Sequence, residues 1–286
     1  MICENKIDLY EYFGLKREDE RCQGYLNSYI LENYSEYCAD RLRPAMIVCP
    51  GGGYWMRSQR EAQPIALSYS AQGFQTFILD YTVKSEYEGA RFPIMLIEAC
   101  MAVAYVRLNA EKYNIIADKI SILGFSAGGH LAGSALTMFD DDAVVKALGE
   151  NAKYCRPDFG VLCYPVATFV APTHAGTRDI ACAHNPDLYS VYALENRVTE
   201  NTPPTFVWTT SEDTAVPPVS SILFAKALSE NKIPFEFHIY QRGYHGLSLG
   251  TEEVSADEKA PYPEMQEWLQ KSVEFLKRNG SLPVKK

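Results

Sequence analysis

The stretch Ile120-Ser121-Ile122-Leu123-Gly124-Phe125-Ser126-Ala127-Gly128-Gly129-His130 decides how this chain is read. An apolar run closes at Gly124 and Phe125, a serine follows, and small residues lead on. The pattern predicts a buried strand, a sharp turn at Ser126 and a helix N-terminus. A Gly-x-Ser-x-Gly turn needs its glycines because a serine thrust out between a strand and a helix leaves no room for neighbouring side chains. The helix start aims free N–H groups and the positive end of its dipole at that serine. Taken alone the motif also fits a glycine-rich turn packed in a core, so its context has to decide.

Working outward, apolar runs alternate with helical patterns. Residues 43–50 form an apolar run that ends in Pro50-Gly51-Gly52-Gly53-Tyr54, and residues 74–81 read as another strand, ending in Asp80-Tyr81. Further strands are expected after the motif at 159–166, 205–210 and 235–240. Runs without polar alternation suit strands covered on both faces, as in a parallel sheet. Helical spacing is expected over 60–71, from Pro93 through Leu108, after Ser126, over 219–228, and in one last helix marked by Met265, Trp268, Leu269 and Leu276. Residues 24–31 read as an early edge strand, and residues 1–24 as an irregular, partly helical arm. Pro172, Pro186 and Pro203 break the rhythm in residues 167–203, which read as a small lid-like insertion over the strand ends. The expectation is a single α/β domain over 1–286, with a mostly parallel central sheet and helices on both faces.

Composition narrows the function classes. The 286 residues suffice for one large domain with a full core. A formal charge of -9 with scattered acids argues against nucleic-acid binding, which wants a basic stripe. No apolar run approaches membrane-spanning length. Met1 to Phe13 carries Glu4, Asp8 and Glu11 without a basic-then-apolar pattern, so a cytoplasmic location is expected. The eight cysteines lack CxxC spacing, and Cys49, Cys100 and Cys163 sit in apolar runs as small hydrophobes. Neither a disulfide framework nor a metal site is expected, and no cofactor.

In such a sheet, chemistry gathers at the carboxyl ends of the strands. Three further candidates follow predicted strands. In Pro50-Gly51-Gly52-Gly53-Tyr54, bare backbone N–H groups suit an anionic oxygen. Gly52 or Gly53, together with Ala127, is the expected oxyanion hole. A flexible loop or a phosphate cradle are the alternatives, although a phosphate loop wants Gly-Lys-Ser/Thr where Tyr54-Trp55-Met56 stands. After the strand ending at Thr210, Asp213 is the expected carboxylate partner of a histidine. Glu212 competes with it, Asp158 and Asp179 less so, and a capping role for Asp213 is compatible. After the strand ending at Tyr240, His245 lies between Tyr244 and Gly246 on a loop that suits a swing towards a serine. His130 on the following helix and His238 within a strand read as packing residues, and His174 and His184 fall in the insertion. The aromatic residues Tyr54, Trp55 and Tyr81 are candidates for stacking on a substrate.

The order Ser126, Asp213, His245 is that of the α/β-hydrolases. From about residue 43 to 277 the chain resembles that superfamily, and within it the bacterial esterase/lipase group that includes acetyl-xylan-esterase-like carbohydrate esterases. The resemblance rests on Cys49-Pro50-Gly51-Gly52-Gly53-Tyr54, on Asp80-Tyr81 with Arg91-Phe92-Pro93, on Gly124 through Ala132, on Asp213-x-x-Val216-Pro217 and on His245-Gly246. It implies a metal-free serine hydrolase acting on short-chain esters, often acetyl groups on sugars such as xylo-oligosaccharides. Two positions depart from the group: Pro50 stands where related lipases have His, and Glu212 where a second Asp is frequent. A small-amide or peptide-type hydrolase, of arylformamidase or aminopeptidase kind, is the competing enzymatic reading. A ligand-binding protein on a hydrolase scaffold is the competing non-enzymatic one. The expected partner is a small ester; homo-oligomerisation stays open.

Overall fold

The computed structural model describes residues 1–255 and 262–281. Its centre is an eight-stranded sheet in the order β1-β2-β4-β3-β5-β6-β7-β8. The strands are β1 (Ile2–Asp8), β2 (Tyr25–Ile30), β3 (Arg43–Cys49), β4 (Gln75–Asp80), β5 (Ile115–Phe125), β6 (Phe159–Cys163), β7 (Thr205–Thr210) and β8 (Phe235–Tyr240). The pairs β1–β2 and β2–β4 are antiparallel, and every other pair is parallel.

The middle strands β3, β6 and β7 are buried at every residue, which is why they are dominated by apolar residues, with Arg43, Gly160 and three threonines the exceptions. Successive side chains still point to opposite faces. From β3, Ala45, Ile47 and Cys49 enter one core, while Met46 and Val48 enter the other. Helices α1 (Leu9–Phe13), α3 (Ile94–Leu108), α4 (Ser126–Thr137) and α8 (Val219–Glu230) pack into the first core. Helices α2 (Gln63–Ala71) and α10 (Trp268–Arg278) cover the second. Helix α5 (Asp142–Leu148) extends the first layer through Val144 and Leu148. Cys49, Cys100 and Cys163 lie in these cores as small apolar side chains.

Four details differ from the sequence reading. Residues 2–8 are a strand, where an irregular arm was expected. Their burial pattern is almost wholly exposed, so no apolar alternation marks them, and pairing with β2 is what makes them a strand. Consequently β2 is interior and not an edge. β6 stops at Cys163, because Tyr164 turns to φ +37° and Pro165 follows. The last helix is two pieces, α9 (Pro263–Gln266) and α10.

The insertion at 167–203 carries α6 (Ala175–Ala181) and α7 (Tyr189–Tyr192). It is anchored to α4 through His130. The His130 Nε2–H donates to the Tyr192 carbonyl at 2.8 Å, so Nδ1 accepts from the Tyr54 hydroxyl at 2.8 Å. Phe169 stacks on the same ring at 4.4 Å. Burial lowers the His130 pKa to about 4 and keeps the ring neutral. Among the described residues no helix is long and apolar enough to cross a membrane.

Candidate active site

Ser126 stands at the junction of β5 and α4 with φ +52°, a left-handed conformation costly for a non-glycine residue. Its neighbours explain the glycines. A Cβ on Gly124 would lie 2.0 Å from the Gly128 carbonyl oxygen, and one on Gly128 would lie 2.2 Å from that of Cys49. Strand, helix and the loop after β3 touch backbone to backbone here. No side chain fits without moving one of them.

The structure brings the three expected side chains together. His245 Nε2 lies 2.7 Å from Ser126 Oγ, and His245 Nδ1 lies 2.6 Å from Asp213 Oδ2. Asp213 Oδ1 accepts from the N–H groups of Ala215 and Val216 at 3.0 and 2.8 Å. Asp213 is thereby locked in a turn ahead of α8, 3% exposed, with one oxygen held for the histidine. Glu212, the competitor, instead accepts from the Gly243 N–H at 3.0 Å and tethers the histidine loop. Asp158 pairs with Arg107 and Asp179 with Arg178. His238 pairs with Glu236 inside β8.

A cleft of about 500 Å³ opens onto Ser126 and His245. Gly52 and Gly53 line it, both at positive φ. Their N–H groups form no hydrogen bond among the described residues, and Ala127 offers a first-turn N–H of α4, which has no intrahelical acceptor. The insertion supplies further lining through His174, Gly176 and Ile180, with the His174 ring beside Gly53. Of the three aromatic candidates, only Trp55 faces the cleft, at 55% exposed. Tyr54 and Tyr81 are corrections: both are fully buried, with hydroxyls committed to His130 and to the Pro50 carbonyl. Neither ring has a face left for a substrate. Their aromatic character suggested stacking, but it serves the packing under the Gly-rich loop.

Sequence reasoning missed a buried carboxylate beneath this site. Glu61 Oε2 accepts from the Gly51 N–H at 2.9 Å, and Oε1 accepts from the Tyr164 hydroxyl at 2.7 Å. The Tyr164 ring meets His245 edge-on at 5.1 Å, and its oxygen also accepts from the Ser248 N–H at 2.9 Å. One carboxylate therefore joins the glycine loop, the segment after β6 and the histidine loop. Burial raises the Glu61 pKa, against hydrogen bonds from Tyr164 and Gly51 and the charge of His245. In the sequence Glu61 is indistinguishable from an acid at a helix start, the commoner meaning of such a residue.

With this geometry in place, relatives bear on it. The sequence model of the BD-FAE family matches residues 31–228. The chain belongs to the BD-FAE family. Endo-1,4-beta-xylanase B of Butyrivibrio fibrisolvens is 40% identical over 220 residues, covering 75% of this chain and 34% of that protein. Acetylxylan esterase of Xylanibacter ruminicola is 28% identical over 218 residues, covering 72% of this chain and 42% of that protein. The matches thus span less than half the length of these two relatives. Among solved structures, the acetyl ester-xyloside bifunctional hydrolase of Caldicellulosiruptor lactoaceticus superposes with a TM-score of 0.75 at 36% identity, covering 91% of this chain and 89% of that one. MGS-M1, an alpha/beta hydrolase from a deep-sea metagenome, gives 0.75 at 33% identity over 98% and 99%. This BD-FAE member has the α/β-hydrolase fold expected from its sequence.

Proposed function

We propose that this protein is a serine hydrolase of short-chain carboxylic esters, with acetyl esters of carbohydrates such as xylo-oligosaccharides as its substrates. The observation that carries the reading is the continuous chain of hydrogen bonds from Asp213 through His245 to Ser126, at the mouth of a cleft. The names of the relatives, an acetylxylan esterase and an acetyl ester-xyloside hydrolase, support the carbohydrate ester.

The mechanism follows from the atoms present. Ser126 Oγ attacks the ester carbonyl carbon while His245 Nε2 takes its proton. Asp213 holds the Nδ1–H tautomer and stabilises the imidazolium as it forms. The carbonyl oxygen, now negative, is held by the N–H groups of Ala127 and of Gly52 or Gly53. Each such donor supplies roughly 2.7–4 kcal/mol in the transition state. His245 then protonates the leaving alcohol, and a water activated by the same ring releases the acid from Ser126.

The test is acetate release from acetylated xylo-oligosaccharides by the parent and by Ser126→Ala. Release that disappears in the variant is expected. Cleavage of a simple aryl acetate without sugar deacetylation removes the carbohydrate from the reading. Full turnover by Ser126→Ala removes the serine.

A further inference from the structure

We propose that Arg60 selects ester substrates whose alcohol part carries a carboxylate, as an acidic sugar residue does. The inference rests on the ester-hydrolase reading above and names the substrate class within it.

Four titratable side chains line the cleft: Arg60, Glu61, His174 and His245. Two are committed. His245 is held between Ser126 and Asp213, and both oxygens of Glu61 accept hydrogen bonds. Arg60 is not. Its guanidinium makes no hydrogen bond, ion pair or ring contact among the described residues, whereas every other arginine does. Arg57 pairs with Asp80 and Glu86, Arg242 with Glu264, and even Arg41 lies over the Tyr37 ring. The charge nearest Arg60 is that of the neighbouring Glu61, whose two oxygens are already taken, so among the described residues the cleft holds a guanidinium with no ion pair.

Its placement is built. Ser248 Oγ donates to the Arg60 carbonyl at 2.6 Å, which fixes its backbone to the histidine loop. One guanidinium nitrogen lies 3.0 Å from where a Cβ on Gly246 would stand, so the glycine after His245 makes room for it. Arg60 is half-buried, with part of the solvation of its charge already removed. A planar fork of five N–H donors in that setting matches a carboxylate, which accepts on two parallel oxygens.

His174 has one ring nitrogen engaged by Thr177, and the other is also a donor. His174 Nδ1 accepts from the Thr177 N–H at 3.1 Å, which places the ring proton on Nε2. Burial and the charge of His245 lower its pKa, keeping it a neutral donor. The titratable groups still free in the cleft thus offer donors and no acceptor. Since the acyl group of the proposed substrate is short, the anion belongs to the alcohol.

The experiment compares kcat/KM for acetylated xylo-oligosaccharides with and without a glucuronic acid branch. Parent, Arg60→Gln and Arg60→Lys proteins are assayed at low and high salt. The ratio of acidic to neutral substrate is expected to fall about tenfold in Arg60→Gln, mainly through KM, and to be partly restored by Lys. In the parent the ratio should shrink as salt rises, a readout that needs no variant to fold. An equal ratio in parent and Arg60→Gln, or a parent ratio indifferent to salt, overturns the proposal. Absence of acetate from both substrates instead overturns the ester reading beneath it.

Discussion

Glu61 and Glu98 are the same residue type in nearly the same solvent-free condition, 3% and 0% exposed, one in the turn before α2 and one on α3. Both accept hydrogen bonds on both oxygens. Glu98, on α3, accepts from the Tyr10 hydroxyl at 3.0 Å, and from the Thr82 hydroxyl and N–H at 2.5 and 2.7 Å. Those donors come from α1 and from the segment after β4, so Glu98 holds the antiparallel end of the sheet together. The donors to Glu61 belong to the glycine loop and to the residue packed against His245. Burial raises both pKa values, that of Glu98 to about 7. Burial and perturbed protonation therefore do not distinguish a working carboxylate from a structural one. What distinguishes them is which loops the donors belong to.

The comparison yields predictions of decreasing size. The parallel end of the sheet should carry all the activity: Ser126→Ala should lower kcat by roughly 10⁴–10⁶ while the thermal midpoint barely moves, as assayed on an aryl acetate. A loss below tenfold would place the chemistry elsewhere.

Glu61→Gln keeps the shape but leaves one buried donor without an acceptor, a penalty of about 1–3 kcal/mol. If that penalty falls on the transition state, kcat drops by roughly 10–100-fold. Removing a negative charge near His245 also disfavours the imidazolium, so the acid limb of the pH–rate profile should move to lower pH. A lower melting temperature with an unmoved pH profile would make Glu61 as purely structural as Glu98.

Glu98→Gln should leave kcat within about twofold and instead change the pH dependence of stability. The folded-state pKa lies above the unfolded one, so the native state binds more protons between about pH 4.5 and 7. The contribution of Glu98 to stability is then complete below that range and is lost as pH rises through about 7. The shift corresponds to something on the order of 3 kcal/mol. His130 has the opposite slope, because its pKa is depressed to about 4 and its contribution is lost as pH falls. The two nearly cancel in the parent. The quantity to measure is therefore the difference in unfolding free energy between Glu98→Gln and parent across pH 5 to 8. A difference that stays flat would show that Glu98 titrates normally.

The fold and the three side chains that meet at the cleft were legible for related physical reasons. Strands buried on both faces favour apolar residues, so β3 and β6 stand out as runs and β7 is carried by Phe206, Val207 and Trp208. A serine at a strained turn needs Gly124 and Gly128 beside it. Asp213 and His245 each follow a strand, where the parallel sheet opens its crevice. By contrast, β1 has no burial to leave a pattern, and its existence depends on β2 lying alongside. Tyr54 and Tyr81 were misjudged because an aromatic ring near a site in sequence says nothing about which side of a loop it faces.

The sequence by itself determined the alternation of strands and helices, the turn at Ser126 and the chain order of Ser126, Asp213 and His245. These are local consequences of burial periodicity and backbone sterics, written into adjacent residues. Only the tertiary structure decided that Glu61 and Tyr164 join three loops under His245, that His130 is a neutral core residue, and that the Arg60 guanidinium has no hydrogen bond or ion pair among the described residues. Those properties depend on partners as many as 188 residues away, as between Ser248 and Arg60. Whether a charge is satisfied is a property of the space around it, and chain order does not encode that space locally.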